Sequence, residues 1–83
     1  MERTKIHALI VERIKHRLVR MGMEEREVTS DLDLVRSGLL DSLSFVDLIA
    51  DLEIACGKQV DLENALNNKG ATTVKGIIEM FSS

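Results

Sequence analysis

Proline, tryptophan and tyrosine are absent from this sequence, and cysteine occurs once, at Cys56. A lone cysteine excludes an intrachain disulfide, so any fold must stand on its own core. No run approaches the ~20 apolar residues that a membrane-spanning helix needs. No charged-then-apolar leader marks the chain for export either, so a cytoplasmic protein without membrane insertion is expected. Strict alternation of β-branched and polar residues is missing over any useful length, which leaves strands without a signal and points to an all-α fold. With 83 residues the chain can build one modest core, expected as a single domain over 1–83. An ordinary catalytic cleft with walls and a lid needs more chain than this.

Net charge is small, −3, but its distribution is uneven. Arg3, Lys5, Arg13, Lys15, Arg17 and Arg20 stand against Glu2 and Glu12 in the first 23 residues, whereas residues 24–63 hold eleven acidic groups and three basic ones. The acidic middle is a poor nucleic-acid surface and suits a basic partner. For any single charge, a solvated face is the better account.

Three helices and a short fourth follow from periodicity. Ile6, Leu9, Ile10, Ile14, Leu18 and Met21 form one stripe over about Thr4 to Met21, closed by Gly22. Phe45, Leu48, Ile49, Leu52 and Cys56 form another after Asp41, with Gly57 past its end. Val74, Ile77, Ile78 and Phe81 define the last, from Thr72 or Thr73 to Phe81. Gly76 inside it should cost about 1 kcal/mol relative to alanine, unless a neighbour must approach closely. "VDLENAL" reads as one or two turns capped by Asp61, and "NNKG" as a loop. The span from Gly22 to Leu40 is long for a connection in a compact domain. Val28, Leu32, Leu34, Val35, Leu39 and Leu40 recur through it, so it is expected to wrap the helices and insert apolar side chains between them. The fold class is therefore a small four-helix bundle, three main helices and one short, with a long loop between the first and second.

"SGLLDSLSFVDLIADLE" carries the chemistry. Asp41 as N-cap would accept a hydrogen bond from the amide of Leu43 or Ser44, placing Ser42 at the first helical position with its hydroxyl toward solvent. Capping alone accounts for both residues. It does not account for Leu43, Val46 and Ala50, which share a side of this helix away from the Phe45 stripe and are flanked by Asp47, Asp51 and Glu53. An apolar strip edged with carboxylates suits a basic partner with a hydrophobic dimple. A helix buried on two sides would produce the same pattern, and spacing leaves both open.

"GLLDSLSFVDLIADLE", with the long loop before it and "GATTVKGIIEMF" after it, resembles an acyl carrier protein or a related peptidyl or aminoacyl carrier domain. The resemblance runs through the whole chain in order. It implies Ser42 as the attachment serine for 4′-phosphopantetheine derived from coenzyme A, and Asp41 as its motif partner. It implies Leu43, Val46, Asp47, Ala50 and Asp51 as the face recognised by modifying and client enzymes. Partners would be a phosphopantetheinyl transferase, an enzyme loading acyl or aminoacyl groups, and synthases and transferases that use them. Nucleic acid is not among them, and a monomer is expected. The chain would be a substrate rather than an enzyme: a serine hydroxyl is a weak nucleophile and no base is evident, so activation must come from a transferase with a divalent ion. Fatty-acid, polyketide or related specialised biosynthesis is the implied setting. Cys56 in place of a large aromatic, Lys58 in place of an apolar residue, and the "SGLLDSL" style shared with D-alanyl and peptidyl carriers favour a specialised cargo.

Other constellations carry less. Asp31 and Asp33 imitate the start of a calcium loop, but Val35, Arg36 and Ser42 occupy positions that need a ligand, a glycine and a glutamate. His7 and His16 lack metal-ligand spacing, and Cys56 reads as a small core residue. A nucleic-acid or membrane-surface module using the basic first helix is opposed by the acidic centre. An unmodified interaction domain with the same fold is the main alternative. An enzyme acting through Ser42 is the weakest reading, since the sequence has no Gly-x-Ser-x-Gly elbow and no oriented base.

Overall fold

The computed structural model describes residues 2–67 and 70–82. Helix α1 covers Arg3–Arg20, a single 3-10 turn Glu25–Glu27, α2 Ser42–Cys56, α3 Leu62–Asn67 and α4 Val74–Ser82. The fold is all-helical. Among the described residues extended pairing is limited to one isolated antiparallel bridge between Asp33 and Thr73.

Helix α1 packs against both α2 and α4. Its buried stripe is Ile6, Ile10, Val11, Ile14 and Leu18, wider than periodicity predicts because Val11 also turns inward. Met21 is not part of that stripe. It caps the helix and is exposed, since Gly22 takes the left-handed conformation (φ 67°) and turns the chain away one residue later. Leu9 is half-buried against the core edge. Phe45, Leu48, Ile49 and Leu52 from α2 and Val74, Ile77, Ile78 and Phe81 from α4 complete the core. Cys56, expected within it, is only half-buried, because Gly57 at φ 65° ends α2 at the margin of the core.

The connection from α1 to α2 inserts as expected, through Val28, Leu34, Leu39 and Leu40, all buried; Leu32 and Val35 reach only half-buried positions. Polar contacts fix its course. Leu34 N–H donates to Thr72 C=O (2.9 Å), Val74 N–H to Leu32 C=O (2.9 Å) and Lys75 N–H to Ser30 C=O (2.9 Å). Asp33 Oδ1 accepts from the amides of Val35 (3.0 Å) and Arg36 (2.8 Å) and from Thr72 Oγ1 (2.8 Å). The loop is thereby tied to the start of α4, which satisfies amides that a helix start leaves unpaired. From α1, His7 Nε2 lies 2.8 Å from Val28 C=O and donates to it.

Helix α4 begins at Val74, with Thr73 ahead of it. Thr73 Oγ1 accepts from Gly76 N–H (3.0 Å) and donates to Gly70 C=O (2.6 Å). Gly76 is where a neighbour approaches closely: a Cβ there would lie 2.3 Å from Gly70 O. The expected short turn is present as α3, and part of the "NNKG" loop, Asn68 and Lys69, lies outside the described residues.

Candidate functional site

Leu39 and Leu40 are buried, and their anchoring delivers the chain to Asp41 at the surface. Leu40 N–H donates to Leu34 C=O (2.8 Å), closing the loop immediately before α2. Asp41 then adopts extended geometry (φ −85°, ψ 179°), and its Oδ1 accepts from Ser44 N–H at 2.8 Å. Of the two amides considered from sequence, Ser44 is the one engaged. The carboxyl of Asp41 is held below its ordinary value, first by that amide, then by the Ser44 hydroxyl and the charge of Arg17. It is therefore an anion at neutral pH.

Ser42 is the first residue of α2 and is exposed. Two serines lie within this single turn, and the structure separates them. Ser44 Oγ receives Arg17 Nη2 at 2.6 Å and is half-buried. The Ser42 hydroxyl has no hydrogen-bond partner among the described residues, so its Oγ is open to a reagent arriving from solvent. The amides of Ser42 and Leu43 belong to the helix start, where no acceptor within the helix exists. Such amides, with the dipole behind them, favour an anion beside Ser42. Asp41 opposes it, and the guanidinium of Arg17 offsets part of that opposition. An anionic group beside Ser42 fits this setting: the residue is exposed, its hydroxyl has no partner among the described residues, and the amides of the helix start lack acceptors within the helix.

The outer side of α2 is apolar along its length. At about 100° per residue, Leu43, Ala50 and Ile54 fall within roughly 40° of one another, opposite the buried Phe45 and Leu52. Leu43 is 77 % exposed and Ile54 82 %, with Val46 at 37 % on one edge. The choice left open by spacing is thus resolved: this side of α2 faces solvent. Ile54 extends the strip by a further turn beyond Ala50; its i+4 spacing from Ala50 was the available signal. Asp47 and Asp51 lie on the other edge, toward α1.

Between α1 and α2 runs an open groove of about 230 Å³, lined by Arg13, Arg17, Ser44, Asp47 and Asp51 over a floor of Ile14, Leu40 and Leu48. Arg13 Nη1 lies 3.6 Å from Asp51 Oδ2. Arg17 Nη1 also donates to Leu39 C=O at 3.4 Å, so one side chain of α1 holds both the last loop residues and the first turn of α2. Neither arginine stands out in the sequence as part of the site. Their i, i+4 spacing places them on one face of α1, but which helix that face meets is a tertiary fact. Among the described residues no cluster of three or more His, Cys, Asp or Glu could hold a metal ion, and no helix is long and apolar enough to cross a membrane.

A family model described as the phosphopantetheine attachment site matches residues 12–81. No curated protein and no solved structure matches the chain. The matched segment runs from within α1 to the last turn of α4 and includes the loop, the α2 start and the groove. Carrier proteins of this kind interact with phosphopantetheinyl transferases and biosynthetic enzymes. The chain belongs to the phosphopantetheine attachment site family, whose members hold 4′-phosphopantetheine covalently on a serine.

Proposed function

We propose that this chain is a small four-helix carrier that takes its 4′-phosphopantetheine on Ser42 and shuttles acyl or aminoacyl groups among partner enzymes of a specialised biosynthetic pathway. The observation that carries the assignment to Ser42 is the contrast within one turn of helix: Ser44 Oγ is bound by Arg17, while Ser42 is exposed and its Oγ has no hydrogen-bond partner among the described residues. Attachment joins Ser42 Oγ to the phosphate of the coenzyme A arm and releases the adenosine bisphosphate portion, the serine proton passing to a base on the transferase. Once bound, the arm supplies a terminal thiol that holds cargo as a thioester.

The chain's own residues position and present. Leu39, Leu40 and the Asp41 cap set the first turn of α2 so that Oγ projects from the surface. Ser42 and Leu43 offer amides to a phosphate next to Oγ. Leu43, Val46, Ala50 and Ile54 offer the apolar part of a docking face, and Asp47 and Asp51 its charge. Activation of the weakly nucleophilic Ser42 hydroxyl falls to the separate transferase.

The test is intact-protein mass spectrometry after incubation with coenzyme A, magnesium and a broad-specificity phosphopantetheinyl transferase. The parent should gain one phosphopantetheine, and Ser42→Ala, folded by circular dichroism, none. A gain on Ser42→Ala would move the site to another serine. A folded parent that gains nothing would favour an unmodified interaction domain.

A further inference from the structure

The two carboxylates on the α1 edge of the docking face are not equally available. Asp51 Oδ2 is 3.6 Å from Arg13 Nη1, whereas Asp47, one turn earlier on the same groove, has no ion pair among the described residues. Both members of the Arg13–Asp51 pair are substantially solvated, their side chains 50 % and 43 % exposed. Such a pair is weak and separates at little cost. Arg17 cannot take the place of Arg13, because its guanidinium is engaged by Ser44 Oγ and Leu39 C=O.

We propose that Arg13 is an intramolecular competitor for Asp51, and that a partner enzyme gains this carboxylate only by displacing Arg13 with a basic side chain of its own. The inference rests on the reading of α2 as the face that docks the transferase and other enzymes. A partner approaching with one cation opposite Asp47 and an apolar dimple over Leu43, Ala50 and Ile54 binds without disturbing α1. A partner that places a second cation opposite Asp51 must break the Arg13 contact. An arginine does this better than a lysine, since a forked bidentate contact replaces a single long one. Arg13 then raises the threshold for partners relying on Asp51 and leaves others untouched, which is selection by an unfavourable element rather than by added attraction. Released from Asp51, its guanidinium is already half in water, so no buried charge is stranded.

The experiment measures KM and kcat for modification by a broad-specificity phosphopantetheinyl transferase with coenzyme A and magnesium. The carriers are the parent, Arg13→Ala, Arg13→Lys, Lys15→Ala, Asp51→Asn and the Arg13→Ala/Asp51→Asn double variant. Lys15 is exposed on α1 and is not a groove residue, so its removal changes net charge alone. Arg13→Ala should lower KM about two- to five-fold, the range set by an exposed ion pair, with kcat unchanged. Arg13→Lys should stay near the parent, Lys15→Ala should have a smaller effect, and the gain should vanish in the Asp51→Asn background. An unchanged or higher KM for Arg13→Ala, an equal gain from Lys15→Ala, or a gain that persists without Asp51 would each overturn the competition. Failure of the parent to be modified would remove the carrier reading and this inference with it; a modified parent with an unresponsive KM removes this inference only.

Discussion

Gly76→Ala should destabilise this protein, although glycine inside a helix ordinarily costs 0.5–1 kcal/mol, roughly, relative to alanine. The new Cβ would stand 2.3 Å from Gly70 O, 3.1 Å from Ala71 Cα and 3.2 Å from Thr73 Oγ1. The Gly70 carbonyl would have to recede by roughly 1 Å to reach ordinary van der Waals contact. That oxygen accepts both Thr73 N–H (3.1 Å) and Thr73 Oγ1 (2.6 Å), and Thr73 Oγ1 in turn accepts Gly76 N–H. Overpacking of this kind costs about 1–3 kcal/mol, and loss of one such hydrogen bond adds about 1 kcal/mol. Set against the propensity gain, the net is a loss of about 2 kcal/mol, a large share of the roughly 5–15 kcal/mol that holds a domain together. Urea denaturation followed by far-UV circular dichroism is suitable, as the chain has no tryptophan. The midpoint should fall by roughly 1–2 M with the slope unchanged. A midpoint equal to or above the parent's would show that the Gly70 carbonyl moves freely and that Gly76 is only a poor helix residue.

Asp33→Ala should also destabilise, by about 2–3 kcal/mol, because three donors lose a charged acceptor that ties the loop to α4. Burial raises the Asp33 carboxyl, but the Arg36 amide, the Thr72 hydroxyl, the Val35 amide and the Arg36 charge together hold it below the ordinary value. Its contribution is therefore complete above about pH 4 and is lost as pH falls through the lowered value; stability measured from pH 6 down to pH 2 should drop more steeply in the parent than in Asp33→Asn. Reversing Asp47 and Asp51 to lysine should weaken modification by the transferase more than it weakens folding, read as KM beside the urea midpoint, and unchanged kinetics would remove the charged edge from the docking face. Ile54→Ser should leave stability within about 0.5 kcal/mol, as befits an exposed position, yet raise KM for partners that cover the whole strip.

Much of the architecture was legible in one dimension. The stripes of α1, α2 and α4 were readable because helical periodicity forces one side of each inward, and Asp41 with Ser42 because a helix start has few solutions for its unpaired amides. The burial of Leu34, Leu39 and Leu40 was legible from composition alone, since so many apolar residues cannot be left in water. Met21 and Cys56 were misplaced at stripe ends, where a left-handed glycine turns the chain before the pattern runs out.

Which residues could be helical, where α2 must begin and which serine stands at its first position follow from local order along the chain, since these depend on neighbours one turn away. That Leu43, Ala50 and Ile54 face water, that Gly76 is needed for the approach of a carbonyl, and that Arg13 and Arg17 line the groove beside α2 emerge from the packing of the helices. Those facts depend on which face of one helix meets another. That choice is made by burial of the whole core, and no local spacing encodes it.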